Sequence, residues 1–211
     1  RDATLFLEDN FFMDELLDNL IANNSMDIAL YQYLKQLRDN RTLILNDGIC
    51  EEIVERIYMP LRDFERDDCQ TPATLILHSQ GGSVADGMFF ADYLEHYSKP
   101  LNILVLGYAC SMATVFLAAA AKNPNITTYC YKNSYALIHD GYVALAASES
   151  GTAQDIMAFN HAMDEKIKDI IVNNTKITEE EYKTAARKQW FLFSEDMKKY
   201  GLVDKIIGED D

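Results

Sequence analysis

From Arg41 onward, short apolar runs rich in β-branched residues alternate with longer runs of helical periodicity. This alternation constrains the fold more than any other feature, because strands that alternate with helices form βαβ crossovers. The sequence therefore predicts an α/β fold with a mainly parallel sheet that is covered on both faces. The predicted strands are Thr42–Leu45, Thr74–Leu77, Ile103–Leu106, Ile126–Tyr131 and Tyr135–His139, and the predicted helices are Glu51–Glu65, Ser83–Tyr97, Ser111–Ala121 and Gln154–Asn174.

Residues 1–40 show a different pattern. Six apolar side chains fall on one face of a predicted helix, and a second helix is expected to begin at the Ser25 cap. We predict two parts: a helical arm over residues 1–40, which packs on the body or on another subunit, and a body over residues 41–211. The six side chains are Phe11, Phe12, Leu16, Leu17, Leu20 and Ile21.

Charge and apolar patterning exclude two classes of partner. The 211 residues carry a formal charge of −15, from 34 acidic and 19 basic side chains. Such a surface repels phosphate backbones, and no basic patch offsets it, so nucleic-acid binding is not expected. The near-apolar stretch Leu101–Ala121 is interrupted by polar residues and glycine. We interpret it as a strand, a turn and a helix, and we expect no membrane partner.

The remaining composition indicates a reducing compartment and no cofactor. The four cysteines are unevenly spaced without a CxxC pair, so we expect free thiols and a cytoplasmic location. No HExxH motif or Cys/His pairing predicts a metal site. No GxxxxGK[ST] loop predicts nucleotide binding. The cysteines are Cys50, Cys69, Cys110 and Cys130.

Two strand-to-helix junctions could carry chemistry. Gly81-Gly82-Ser83 follows a predicted strand, and paired glycines allow a tight turn with a bare N–H that faces a ligand. The plainer interpretation is a turn with Ser83 as a helix cap. At the second junction, Ser111 opens a predicted helix, where backbone N–H groups can stabilise an oxyanion. Ser111 is thus either a cap or a nucleophile, and Cys110 is a weaker rival without a cationic activator.

A serine nucleophile needs a base, and the chain offers four histidines. His139 ends a predicted strand and is the preferred candidate. His78 lies beside the glycine turn and could be a packing residue. His96 and His161 lie within predicted helices among polar residues, which is typical of a solvated face.

Four ordered motifs make the chain resemble the proteolytic subunit of the Clp proteases over Arg41 to Ile207. They are SQGGSVADGM at Ser79–Met88, GYACSMA at Gly107–Ala113, ALIHD at Ala136–Asp140 and YGLVDKII at Tyr200–Ile207. The resemblance implies a crotonase-like α/β fold and a serine endopeptidase that acts on polypeptides. It implies Ser111 as nucleophile, His139 as general base, and an oxyanion hole from the N–H groups of Gly82 and Met112.

The same resemblance implies an assembly. Family members stack two seven-membered rings around a closed chamber, and the long helix Gln154–Asn174 corresponds to the handle between the rings. An AAA+ unfoldase normally feeds the chamber, so ATP would act only on that partner.

The chain departs from the family at one site position. Gln189 occupies the slot of the family's catalytic Asp, and neither neighbouring residue is a carboxylate. A Gln carbonyl can accept a hydrogen bond from the imidazole but cannot stabilise the imidazolium by charge. Asp140 or another carboxylate could substitute from a different direction.

Three hypotheses therefore stand. The first is an active self-compartmentalised serine peptidase, and the second is a catalytically impaired subunit that builds or regulates a proteolytic ring. The third keeps the fold with another role, either a crotonase-like acyl-CoA enzyme or a phage-type head-maturation peptidase that would use the same serine.

Overall fold

The computed structural model describes residues 39–139 and 150–209, together with Lys35 and Leu37. The chain divides into two units between Asn40 and Arg41. The predicted arm lies almost entirely outside the described residues and stays a prediction. Asp140 also lies outside them.

The described body contains seven strands and six helices that follow one another along the chain. The strands are β1 (Thr42–Leu45), β2 (Ala73–Ser79), β3 (Leu101–Cys110), β4 (Ile126–Tyr131), β5 (Tyr135–Ile138), β6 (Trp190–Phe193) and β7 (Lys205–Ile207). The helices are α1 (Glu51–Arg66), α2 (Val84–His96), α3 (Met112–Ala121), α4 (Ser150–Asn174), α5 (Glu179–Ala185) and α6 (Ser194–Tyr200).

The strands form one sheet that branches at β3. Strands β1, β2, β3, β4 and β7 lie side by side in that order, all parallel. The first half of β3 pairs with β4, whereas its last residues, Tyr108 to Cys110, pair in parallel with β5. Strand β5 pairs antiparallel with β6 on its other side. The prediction of a mainly parallel α/β sheet is confirmed, and the branch brings β5 beside the end of β3.

The core lies on one face of the sheet, under α1, α2 and α3. Side chains alternate along β2, so that Leu75 and Leu77 are buried while Thr74 and Ile76 are partly exposed. Each fully buried Leu contributes about 1.5–3 kcal/mol through the hydrophobic effect. The expectation of cover on both faces is not met within the described residues, because this alternation is typical of a half-solvated sheet rather than a sandwiched one.

Helix α3 is the most deeply buried element. Every residue from Met112 to Ala120 is buried, and the ring of Phe116 packs edge-on against Phe90 of α2 at 5.0 Å between centroids. The small alanine side chains let neighbouring elements approach closely. The near-apolar stretch therefore is a strand followed by a buried helix, as predicted. None of the helices in the described ranges has the length and apolar character needed to cross a membrane.

Most element boundaries agree with the sequence, and the differences have physical reasons. Strands β1 and β4 match the prediction, whereas β2 and β3 extend further because parallel pairing continues past the apolar runs. Pro60 does not divide α1, which runs unbroken through it. Helices α5 and α6 were not predicted, because seven residues are too few to show a helical period, and β6 was not predicted, because its four apolar residues do not alternate with polar ones. All four cysteines are free thiols.

Candidate active site

Ser111 lies in a strained turn between β3 and α3. Its backbone has φ 55° and ψ −122°, a region that residues with a Cβ rarely adopt and that costs on the order of 1–3 kcal/mol. Its side chain makes no capping hydrogen bond to α3. The interpretation of Ser111 as an ordinary helix cap is therefore wrong, and such strain clusters at functional sites.

Hydrogen bonds from the core hold this turn in place. The Ser111 N–H donates to the Leu137 carbonyl at 2.7 Å, which ties the turn to β5. The buried Thr114 hydroxyl is shared between the carbonyls of Ala109, at 2.7 Å, and Leu137, at 3.0 Å. The Thr114 N–H also donates to the Ser111 carbonyl at 2.9 Å. The ends of β3 and β5 and the start of α3 thus form one rigid unit.

The glycine loop that follows β2 lies directly against Ser111. Gly81 has φ 89°, and a Cβ added to it would lie 2.7 Å from the Ser111 Cβ and 2.6 Å from the Cys110 carbonyl oxygen. Only glycine permits this approach. The buried Ser79 fixes the loop, because its hydroxyl donates to the Asp47 carbonyl at 2.6 Å and accepts from the Gly81 N–H at 3.2 Å. The two junctions named from the sequence therefore meet.

Gly82 directs its N–H toward the Ser111 side of this loop. Ile49, which follows β1, donates its N–H to the Gly81 carbonyl at 2.9 Å and accepts from the Ser83 N–H at 2.8 Å. The Gly81 carbonyl and the Gly82 N–H belong to one trans peptide group and point in opposite directions, so the Gly82 N–H points away from Ile49. Because β2 lies between β1 and β3, that direction faces the end of β3, where Ser111 stands.

Met112 provides a second backbone N–H beside Ser111. It is the first residue of α3, where the N–H groups have no acceptor within the helix. Its buried side chain packs over Gly87 of α2, where an added Cβ would lie 2.2 Å from the Met112 Cγ. This packing fixes the position of the first turn of α3.

His139 follows β5 directly and lies in the same cleft as Ser111. The pairing of Cys110 with Leu137 places the end of β5 beside the Ser111 turn. His139 is half-buried, two residues beyond Leu137. A cleft of about 380 Å³ is lined by Ser111, Met112 and His139 together. The predicted nucleophile, base and one oxyanion donor thus line one cavity, and Gly82 belongs to the loop that contacts Ser111.

Gln189 stands near His139 but outside the cleft lining. Ile138 pairs with Trp190 in the antiparallel β5–β6 ladder, so the next position along places Gln189 opposite His139. The Gln189 side chain is exposed and does not line the cleft. The described carboxylates that do line it are Asp164 and Glu165 on α4. A hydrogen bond from Lys168 lowers the pKa of Glu165.

The other candidate residues do not share this arrangement. Burial raises the pKa of the Cys110 thiol to about 11, so the thiol is protonated at neutral pH and is a poor nucleophile. The Nδ1–H of His78 donates to the Leu106 carbonyl at 2.6 Å, and its ring packs against Tyr108 at 4.0 Å. His78 is absent from the cleft lining and has a packing role.

Most of the cleft wall formed by α4 and the segment after it was not predicted from the sequence. His161 was interpreted as part of a solvated face, and it is exposed, but it also lines the cleft. The spacing i, i+3, i+7 and i+10 from His161 marks one face of α4 and could have indicated the stripe. The wall residues not named from the sequence are Asp164, Glu165, Ile167, Lys168, Ile171, Tyr182, Lys183 and Arg187.

These features define a class of protein: an α/β fold in which a strained serine at a strand-to-helix junction faces a glycine loop and a strand-end histidine. A family model described as Clp protease matches residues 24–210, nearly the whole chain. The chain belongs to the Clp protease family. The resemblance and the fold class expected from four motifs are confirmed, and family membership supports a peptidase function in general terms.

Proposed function

We propose that the chain is a serine endopeptidase that hydrolyses polypeptides through an acyl-enzyme. The observation that carries the proposal is the strained Ser111, which lines the same cleft as His139 while the glycine loop presses against it. Strain at a serine that makes no capping bond has no role in helix formation. It is explained if the turn serves to present the hydroxyl to a substrate.

The proposed reaction begins when the Ser111 Oγ attacks a peptide carbonyl carbon and His139 takes the hydroxyl proton. The N–H groups of Gly82 and Met112 donate to the resulting oxyanion. When the C–N bond breaks, the His139 imidazolium gives its proton to the leaving amine. Water then attacks the acyl ester with His139 as base, and the Ser111 oxygen recovers a proton as the C–O bond breaks.

Apolar residues around Ser111 support a peptide as the substrate. The cleft beside the serine is formed by aliphatic and thioether side chains, which can hold an apolar side chain of a bound peptide. Polypeptides need no resident cofactor or metal for this reaction. ATP would enter only through an AAA+ unfoldase that delivers substrate. The apolar lining residues are Val84, Met112, Val115, Ile138, Ile167 and Ile171.

Gln189 lowers the rate expected of the proposed enzyme. In a serine protease triad, replacing the Asp with its amide costs about 10⁴ in turnover, largely because the imidazole adopts the wrong tautomer. Gln189 here can at most orient His139. We therefore propose slow turnover, with the oxyanion donors and the positioned serine supplying most of the acceleration.

Exposed apolar side chains support assembly into rings. Met157 and Phe159 on the first half of α4 are 57% and 63% exposed, and Phe193 on β6 is 60% exposed. Large exposed apolar groups of this kind mark interaction surfaces. We propose that the chain forms seven-membered rings that stack in pairs, with α4 as the handle between them.

A second candidate function follows from Gln189 alone. A subunit with Gln189 in place of the family's catalytic Asp could assemble with an active ring and contribute structure rather than hydrolysis. This candidate predicts a ring that binds peptides but does not cleave them. The acyl-CoA alternative has no support in the described cleft, whereas a maturation peptidase would use the same residues and differ only in its substrate.

Hydrolysis of a fluorogenic peptide with an apolar residue before the reporter tests the proposal. We expect turnover by the wild-type protein that Ser111→Ala abolishes. Ser98→Ala is the matched control, because Ser98 lies at the opposite end of the sheet and contacts Glu65. Turnover that survives Ser111→Ala would contradict the proposal. A wild-type ring without turnover would favour the non-catalytic subunit.

A further inference from the structure

The cleft has a charged end that the proposed mechanism does not use. This end is formed by α4, α5 and the turn after α5, and it holds three cationic side chains. Two of the three are neutralised by neighbouring carboxylates. The cations are Lys168, Lys183 and Arg187.

Lys168 and Lys183 have their partners within the protein. The Lys168 ammonium is largely buried, hydrogen-bonded to Glu165, and lies 3.5 Å from a Glu179 carboxylate oxygen. Lys183 pairs with the same Glu179 at 2.6 Å. Their charges are therefore largely compensated, and neither side chain is available to a ligand without breaking an existing pair.

Arg187 differs from both lysines. Across residues 39–139 and 150–209, no hydrogen bond or ion pair involves its guanidinium. The turn that holds it is well defined, because the Ala186 N–H donates to the Tyr182 carbonyl at 2.9 Å and the Lys188 N–H donates to the Ala185 carbonyl at 3.0 Å. Ala186 itself is buried. A fixed turn thus presents an uncompensated cation to the cleft.

Arg187 also lies close to the proposed reaction centre. It precedes Gln189 by two residues, and Gln189 stands opposite His139 in the continued β5–β6 register. Arg187 also lines the same cleft as Ser111 and His139. A group bound by Arg187 would therefore lie within a few residues of a scissile bond held at Ser111.

We propose that Arg187 binds a carboxylate of the peptide, so that the enzyme prefers substrates with an acidic residue close to the scissile bond. The inference rests on the proposed peptide-binding role of the cleft. A guanidinium donates two parallel hydrogen bonds to a carboxylate, a geometry that Lys cannot reproduce. The carboxylate could belong to an acidic side chain or to the peptide C-terminus.

The preference is expected to act only at short range. The chain carries a net charge of −15, so an acidic peptide gains nothing from the overall field. Salt screens exposed charges beyond about 8 Å at physiological ionic strength. Glutamate should therefore be favoured at one substrate position and not throughout the peptide, and the preference should weaken as salt rises.

Paired peptides test this inference. A fluorogenic peptide with capped ends carries Glu or Gln in turn at each position near the scissile bond, and a second pair has a free or amidated C-terminus. At one position, the wild type should favour the carboxylate by about tenfold in kcat/KM, equivalent to ~1.4 kcal/mol. The Glu/Gln ratio of kcat/KM should fall to about one in Arg187→Gln and below one in Arg187→Glu. Lys188→Gln, which removes an exposed charge outside the cleft lining, should keep the wild-type preference.

Several outcomes would overturn the inference. These are equal rates for both members of every pair, a preference that survives Arg187→Gln, or a change of oligomer mass in that variant without a change of preference. The last result would make Arg187 a subunit contact.

Binding of the same labelled peptides to Ser111→Ala, measured by fluorescence anisotropy, separates this inference from the proposed function. Discrimination in binding without hydrolysis by the wild type would contradict only the peptidase proposal. Binding without discrimination would overturn the role of Arg187.

Discussion

At the scale of single residues, the proposed site depends on the absence of a side chain at Gly81 and on the uncharged amide of Gln189. Gly81 permits the loop to touch Ser111, because any Cβ there would overlap the serine. Gln189 stands in register with His139 but cannot supply a negative charge. We propose that the first feature shapes the site and that the second limits its rate.

Replacing Gly81 with Ala should abolish hydrolysis, because the new Cβ would displace the Ser111 turn. Gly208→Ala is a matched control, since Gly208 has nearly the same φ, 88° against 89°, but nothing within 4 Å of the added Cβ. Both variants incur similar backbone strain, on the order of 1 kcal/mol. Peptide hydrolysis and thermal unfolding of both variants check this. Equal activity losses would show that strain, rather than the contact with Ser111, is responsible.

Restoring the carboxylate with Gln189→Asp should raise kcat/KM by at least about tenfold. An Asp can hold the imidazole in the productive tautomer and stabilise the imidazolium, and its removal in a related triad costs about 10⁴. Gln189→Asn has the same size as Asp without the charge and should not produce the gain. Unchanged rates in Gln189→Asp would indicate that another carboxylate of the cleft, such as Asp164, already serves His139.

At the scale of elements, the order of strands and helices determines which groups meet. The serine, the histidine and the glycine loop follow three different strands, and they converge because β5 pairs with the end of β3. The alternation of strands and helices predicted a mainly parallel sheet and two strand-to-helix junctions that could carry chemistry. It did not predict the branch of the sheet, because a pairing between β3 and β5 leaves no local pattern in the sequence.

The sequence predicted the elements whose periodicity is strong and missed those that rely on local chemistry. Helix α5 begins with a capping box between Thr178 and Glu181, a local signal that the sequence carries without a helical period. The ion pairs around Lys168 depend on the approach of α4 and α5. Periodicity can indicate the stripe on α4 but not the approach of α5 to it, so the ion pairs between the two helices could not be predicted.

The Glu65 carboxylate on α1 accepts hydrogen bonds that connect this helix to Tyr93 on α2 and to Ser98 in the turn after α2. Burial tends to raise the pKa of Glu65, but hydrogen bonds from Ser98, Tyr93 and Arg62 outweigh it and lower the pKa below 4.5. When the pKa of a carboxyl is lower in the folded state than in the unfolded state, its ionised form stabilises the fold, and this stabilisation is complete at pH values above the unfolded pKa. This stabilisation is lost as the pH falls below about 4.5.

Glu65→Gln should therefore lower the free energy of unfolding by about 1–3 kcal/mol at pH 7, because bonds to a charged acceptor are lost. The difference from wild type should shrink as the pH falls toward 3. Urea unfolding at several pH values measures both. The exposed Glu55 of the same helix provides the control, Glu55→Gln. A difference that does not change with pH would contradict the role assigned to the Glu65 charge.

At the scale of the whole molecule, α4 and β6 carry large apolar side chains that are exposed to solvent in the single chain. We propose that another subunit buries them. The proposed rings would cover them and enclose the cleft in a chamber. Light scattering should give a mass fourteen times the 24.0 kDa of one chain. Phe159→Glu should reduce that mass to single rings or smaller species, because it places a charge in the proposed handle contact. A monomeric wild type would contradict the proposed assembly.

The central claim is that Ser111 is a nucleophile activated by His139, and covalent labelling tests it most directly. A fluorophosphonate probe should modify the folded wild-type protein at Ser111, as located by peptide mapping. Labelling should be absent in Ser111→Ala, slower by at least about 100-fold in His139→Ala, and retained in Cys110→Ala. A wild-type protein that resists the probe while a control serine hydrolase reacts, or a label that persists in Ser111→Ala, would contradict the account.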